Sequence, residues 1–143
     1  MQTTNSFPFQ TTVEVIFRDV DAMGHVNNAV YFTYLETART QFFFRGLHIS
    51  ALTQLPVILA EASCSYKSAA HFGERLVIGL GISRIGNKSF DIVYRIAAED
   101  GRLIAEARTV MVAFDYEKET TIAIPDNLKK LLQSCLIEGQ PSS

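Results

Sequence analysis

The feature that most constrains the fold is the stretch from Val57 to Tyr116, which reads as β throughout and divides into Val57–Lys67, Arg75–Ile85, Ser89–Ala98 and Leu103–Asp115. Asp100-Gly101 is a strong hairpin signal and Gly86-Asn87 a reasonable one, because both supply residues that tolerate positive φ. The last three strands should therefore pair locally as an antiparallel meander. In Ser89–Ala98, Phe90, Ile92, Tyr94 and Ile96 share one face, with Asp91 and Arg95 on the other. In Val57–Lys67 a strict two-residue period groups Ile58, Ala60, Ala62, Cys64 and Tyr66 on the face expected to meet a helix. Glu61, Ser63, Ser65 and Lys67 fall on the opposite face together with Val57 and Leu59.

An apolar sheet face needs a cover, and the segment upstream can supply it. From about Ala29 to Arg45 the apolar positions Tyr31, Tyr34/Leu35, Ala38 and Phe42 recur at helical spacing, and Gly46 stands where a C-terminal glycine belongs. Asn27 or Asn28 suits the N-cap, since a short amide accepts from the first free backbone N–H groups. A short strand is expected over Val13–Phe17, and a small amphipathic helix over Pro125–Leu136, with Leu128, Leu131 and Leu132 packed on the outside. The fold class is α+β, one curved antiparallel sheet against one long helix.

Composition limits what such a domain can do. With 143 residues, 48% of them hydrophobic, the chain suits a single domain over 1–143 with a core that needs no metal or disulfide; 1–10 and 137–143 are expected to be flexible tails. The net charge is −2 and the basic residues are scattered, which argues against a nucleic-acid partner. No apolar run approaches the ~20 residues needed to span a bilayer, and the first residues lack a leader pattern, so a cytoplasmic protein with no membrane partner is expected. Cys64 and Cys135 lack CxxC spacing and read as free thiols, Cys64 on the apolar face of its strand.

The densest polar cluster is Arg18-Asp19-Val20-Asp21-Ala22-Met23-Gly24-His25-Val26-Asn27-Asn28, between the first strand and the long helix. A helix N-terminus presents free N–H groups and partial positive charge, suited to an oxyanion. Gly24 would admit close approach to the backbone, and Asp21 could attack a carbonyl or take a proton from water. The same residues also suit an ordinary capped loop, and the residue types alone leave both readings open. No HxxH or HxH spacing supports a metal site at His25. Asp19 and Asp21, two apart in an extended segment, do not face each other across a substrate as paired carboxylates must. Glu36 and Arg39, three apart on the helix, read first as an ion pair, with a catalytic Glu36 as the lesser alternative.

The run RDVDAMGHVNNAVYFTYLETAR resembles the signature of the 4-hydroxybenzoyl-CoA thioesterase-like branch of the hotdog superfamily. It is most similar to bacterial acyl-CoA thioesterases with the pattern D-x-D-x-x-G-H-V-N-N-x-x-Y. The likeness continues through SYKSAAHFGERL, RIGNKSF, EARTVMVAFD and PDNLKKLL, nearly the whole domain. It implies a hotdog fold, a curved sheet of five to six antiparallel strands wrapped around one helix, and hydrolysis of an acyl-CoA thioester. Residue by residue, it makes Asp21 the nucleophile or general base, places an oxyanion-binding N–H at about Asn28 with Gly24 beside the reacting centre, and puts His25 and Asn27 in the site.

Tyr31, Tyr34 and Leu35 could line walls for the acyl group or equally be plain core packing, and the same resemblance suggests Arg84, Lys88 and Ser89 as contacts for the CoA phosphates. It implies no cofactor, coenzyme A being part of the substrate, and a homodimer joined edge to edge or a homotetramer built as a dimer of dimers. Met23 departs from the asparagine of plant acyl-carrier-protein thioesterases, and His25-Val26-Asn27-Asn28 departs from the aromatic residues of enzymes acting on 4-hydroxybenzoyl-CoA. A fatty acyl-CoA is the expected substrate. The alternatives are an acyl-carrier-protein donor and a non-catalytic acyl-CoA-binding module.

Overall fold

The computed structural model describes residues 7–137. Its strands are β1 (Phe9–Glu14), β2 (Val57–Tyr66), β3 (Arg75–Ile85), β4 (Ser89–Ala98), β5 (Leu103–Asp115) and β6 (Thr120–Thr121); its helices are α1 (Val30–Leu47) and α2 (Asp126–Ser134). All strands pair antiparallel in the order β1-β3-β4-β5-β2, with β6 on β5. The sheet curls around α1, which is the hotdog arrangement. No helix among the described residues is long and apolar enough to cross a membrane.

The core lies between α1 and the concave face. Tyr31, Tyr34, Leu35, Ala38, Phe42 and Phe43 of α1 are buried. They form one cluster with Leu76, Ile78, Leu80 and Ile82 of β3 and Phe90, Ile92, Tyr94 and Ile96 of β4. Burying each large side chain contributes about 1.5–3 kcal/mol, so this face of α1 alone outweighs the helix's weak intrinsic preference for its aromatic and β-branched residues. The hydroxyls of Tyr94 and Thr109 are buried as well and satisfy each other at 2.7 Å.

Several elements differ from the reading by periodicity. The first strand runs Phe9–Glu14 rather than Val13–Phe17, because Phe9 and Gln10 pair with Leu80 and Gly79 of β3. Residues 7–10 are therefore not a tail, and Ile137 is anchored too, its N–H donating to Ile82 O at 2.7 Å. The remainder of both expected tails, 1–6 and 138–143, lies outside the described residues. Gly46 is not the helix terminator. The left-handed cap is His48 at φ 55°, while Gly46 sits inside α1 where a Cβ would come within 2.5 Å of the Leu131 side chain of α2. Gly46 is a packing glycine that lets the two helices touch.

The largest correction concerns β2. A bulge between Leu59 and Glu61 shifts the register with β5, so that Val57 and Leu59 pair with Ala113 and Met111, whereas beyond the bulge Ala62, Cys64 and Tyr66 pair with Thr109, Ala107 and Ala105. Directly paired residues share a face, so Val57 and Leu59 lie on the core side, and Ile58 does not. One extra residue, Ala60, reverses the parity that strict alternation requires. β2 is also an end strand of the sheet, as β1 is on the other side, and most of it, Leu59 to Ser63 with Ser65 and Tyr66, is exposed.

The convex face is partly covered by the chain's own N-terminal segment. Phe7 is buried over Gly79, where a Cβ would lie 2.8 Å from the ring. Gly79→Val should therefore destabilise the protein by about 1–3 kcal/mol through overpacking, measured as a lowered midpoint in urea unfolding. An unchanged midpoint would mean that Phe7 does not cover the sheet.

Candidate active site

The loop between β1 and α1 is fastened at both ends before it presents any chemistry. At its start, the carboxylate of Asp19 accepts the Ile16 N–H at 3.1 Å and the Tyr34 hydroxyl at 2.8 Å, while its carbonyl accepts the Asn27 N–H at 3.0 Å. Burial, and after it the hydrogen bond to Asp19, raises the Tyr34 hydroxyl far above the usual phenol range, so it stays a donor. Val26 is buried and donates to Ala70 O at 2.9 Å.

Between these anchors the chain makes a tight turn. Gly24 N–H donates to Asp21 O, and Asp21 N–H to His25 O, both at 2.9 Å, with Gly24 at φ 80°. That backbone conformation is open to glycine at little cost, which explains Gly24 as a turn residue behind the site. The Asp21 carboxylate accepts the Met23 N–H through Oδ1 at 2.9 Å; its other oxygen has no partner among the described residues. The two aspartates thus differ in kind: Asp19 is committed to structure, while Asp21 keeps one oxygen for a ligand.

Neither Asn27 nor Asn28 is the N-cap: the cap position is Ala29, without a side-chain cap, and Asn27 Oδ1 instead accepts the Ala29 N–H at 2.9 Å, turning the chain into the helix. The Asn28 N–H donates to no acceptor among the described residues, while its carbonyl takes the Tyr66 hydroxyl at 2.8 Å. This leaves a free amide at the positive end of an 18-residue helix.

Asp21, His25, Asn27, Asn28 and Tyr31 all line one cleft of about 460 Å³. Its opposite wall is the end of β2 and the residues after it: Tyr66, Lys67, Ser68 and Ala69. Tyr31 packs edge to face on Tyr66 with centroids 5.2 Å apart, which closes the cleft on the core side. Burial raises the hydroxyls of Tyr31 and Tyr66 and the nearby Cys64 thiol above their ordinary values. A thiol shifted that way is a poor nucleophile at neutral pH. Asp21 and Lys67 supply the formal charges of the lining.

The structure separates the other expected substrate contacts from this cleft. Tyr34 and Leu35 are core residues, 5% and 0% exposed, facing Asp19 and the sheet rather than the cavity. Arg84, Lys88 and Ser89 lie around the β3–β4 hairpin; Arg84 is engaged with Asp91 at 2.9 Å and with Ser89 Oγ at 2.8 Å, whereas Lys88 is exposed. Glu36 and Arg39 are 3.9 Å apart and line a different groove, between α1 and the start of β2. Tyr66 and Lys67 escaped notice as site residues because the strand pattern absorbed them; only the turn chemistry that follows, at Ser68, marks where the strand ends beside the helix. Among the described residues no group of His, Cys, Asp and Glu is placed to hold a metal ion.

Known proteins share this fold. The model of a family described as the thioesterase-like superfamily matches residues 15–132. The acyl-CoA thioester hydrolase YbgC of Escherichia coli O6:H1 is 27% identical, over 87% of this chain and 95% of its own. The long-chain acyl-CoA thioesterase FadM of Escherichia coli K12 is 24% identical, over 87% of this chain and 96% of its own. Among solved structures, a thioesterase from Thermus thermophilus complexed with coenzyme A and Zn superposes with a TM-score of 0.81 at 26% identity, covering 95% of this chain and 98% of the other.

Because the Tyr34 hydroxyl serves a carboxylate that holds the loop, Tyr34→Phe should lower stability by about 1.5–3 kcal/mol, read from denaturant unfolding. A loss below a few tenths of a kcal/mol would show that Asp19 does not fasten the loop to α1.

Proposed function

The chain belongs to the thioesterase-like superfamily, and on that premise we propose that it hydrolyses acyl-CoA thioesters at the Asp21 cleft, with a fatty acyl group as the favoured substrate. The observation that carries the proposal is the meeting, in one cleft, of a carboxylate oxygen and an amide at the helix entry that have no partner among the described residues.

The chemistry follows from those two groups. Sulfur donates little resonance to a carbonyl, so a thioester is electrophilic enough for a carboxylate or a carboxylate-activated water. In the general-base form, Asp21 takes a proton from water while the hydroxide oxygen bonds to the acyl carbon. The carbonyl oxygen becomes an oxyanion on the Asn28 N–H, and collapse of the adduct breaks the C–S bond and releases CoA thiolate and the free acid. In the nucleophilic form, the Asp21 oxygen itself bonds to the carbon, the adduct breaks its C–S bond to expel CoA thiolate and leave a mixed anhydride, and water then cleaves that anhydride to the free acid and the Asp21 carboxylate. His25 and Asn27 line the same space, and Tyr31 with Tyr66 forms its apolar wall.

Coenzyme A is the donor favoured over acyl carrier protein, on the support of the Thermus thermophilus thioesterase complexed with it; the long-chain acyl-CoA thioesterase FadM supports a fatty acyl chain. Lys67 at the cleft, only loosely paired with Glu106 at 4.0 Å, and the exposed Lys88 beyond it are the cations proposed to meet CoA phosphates, since Arg84 is held closely by Asp91 at 2.9 Å. The assembly proposed is a dimer through β2, the sheet edge whose residues from Leu59 to Ser63 are exposed. A tetramer would be two such dimers.

Asp21→Asn keeps the turn's shape but cannot take a proton, so kcat should fall by about 100-fold or more, in an assay of thiol released from acyl-CoAs of increasing chain length. Unchanged turnover would remove Asp21 from the mechanism. Light scattering should give at least twice the 15.9 kDa chain mass; a monomer at all micromolar concentrations would refute pairing through β2.

A further inference from the structure

The chain has three histidines, and two of them, His25 and His71, meet at the cleft although they come from different loops. Their backbones form an antiparallel bridge and their rings lie edge to face, 4.9 Å apart at 79°. His25 lines the cleft; His71 stands behind it and does not. On the Asp21 reading above, we propose that His71 is a positioning residue for the hydrolysis: its ring, fixed by Glu74, seats the His25 imidazole in the cleft.

The constraints on His71 exceed what its surface position calls for. Glu74 Oε1 accepts the His71 backbone N–H at 2.8 Å and lies 3.2 Å from His71 Nδ1. Arg102, from the distant β4–β5 hairpin, donates through Nη2 to both Glu74 oxygens at 2.8 and 2.9 Å and to Ala69 O at 3.2 Å. Partial burial would raise the Glu74 carboxyl, but the hydrogen bonds from Arg102 and His71 outweigh it and hold it below the usual range. Glu74 is therefore a carboxylate at neutral pH and only accepts, so the hydrogen on His71 must sit on Nδ1. One tautomer and one ring orientation are selected.

The His71 side chain is 52% exposed, so its own contact with Glu74 adds little to global stability, whatever the part-buried Arg102–Glu74 pair contributes. The effect falls on the ring that His71 touches. An edge-to-face contact of this type biases the seated orientation of His25 by roughly three- to tenfold over one swung into solvent. An imidazole that is to order water or meet the departing sulfur needs such a bias, because a misplaced group loses its proximity advantage.

The test is a double-mutant cycle on the full-length protein, with kcat and KM for an acyl-CoA and the thermal midpoint measured for each variant. His71→Ala should lower kcat by about three- to tenfold with KM and midpoint nearly unchanged, and should have no further effect in a His25→Ala background. His71→Phe, which keeps the ring contact, should restore most of the loss. Independently of activity, nitrogen NMR should show His71 protonated at Nδ1 in the wild type and lose that preference in Glu74→Gln. An equal loss from His71→Ala with and without His25, an unchanged kcat, or an Nε2-protonated His71 would each overturn the proposal. If that happens while Asp21→Asn is inactive, the cleft reading stands without it; if Asp21→Asn keeps full turnover, both fall.

Discussion

The carboxylate of Asp19 receives the backbone N–H of Ile16, two residues past β1, and the hydroxyl of Tyr34 from the buried face of α1, and its carbonyl receives the amide of Asn27 at the helix entry. Through that one residue the strand, the loop and the helix hold a single relative position. The loop would otherwise be a polar segment with no core of its own, free to sample many conformations at an entropic cost that any bound state would have to overcome. With Asp19 spent on structure, Asp21 can project its remaining oxygen into the cleft beside the Asn28 amide.

The cleft exists because two elements remote in sequence end at the same place. α1 enters the core at Val30, and β2 leaves the sheet after Tyr66; Tyr66 bridges them by bonding to Asn28 O and packing on Tyr31. The sheet that brings them together is held by ordinary means: apolar residues of β3 and β4 against the aromatic face of α1, with the buried Tyr94–Thr109 pair satisfied internally. The segment 70–74 forms a second layer behind the site, tied to the Asp21 loop by Val26, to the end of the first strand by Val15 just after it and to the far hairpin by Arg102. Little of this second layer is deeply buried, so its interactions serve local geometry more than global stability.

Much of the architecture was legible in the residues. Arg75–Ile85, Ser89–Ala98 and Leu103–Asp115 form strands with the bounds their alternation and turn residues suggest, and Asp100-Gly101 makes its hairpin with Gly101 at φ 92°. Failures occurred where tertiary pairing overrode local pattern. Phe9 and Gln10 look unstructured until β3 offers them a partner, Gly46 looks like a terminator until Leu131 fills its missing side chain, and the bulge at Ala60 reverses β2 without any local signal.

What the sequence determined by itself was a helix with one apolar face, strands with one apolar face each, and an Asp–Gly–Asn loop at the helix entry, because periodicity and turn chemistry are properties of neighbours along the chain. Which groups of that loop are tied up was left to the tertiary structure: Asp19 is engaged by Tyr34, while one oxygen of Asp21 and the Asn28 amide have no partner among the described residues, and hydrogen-bond partners that distant in sequence cannot be read from local spacing.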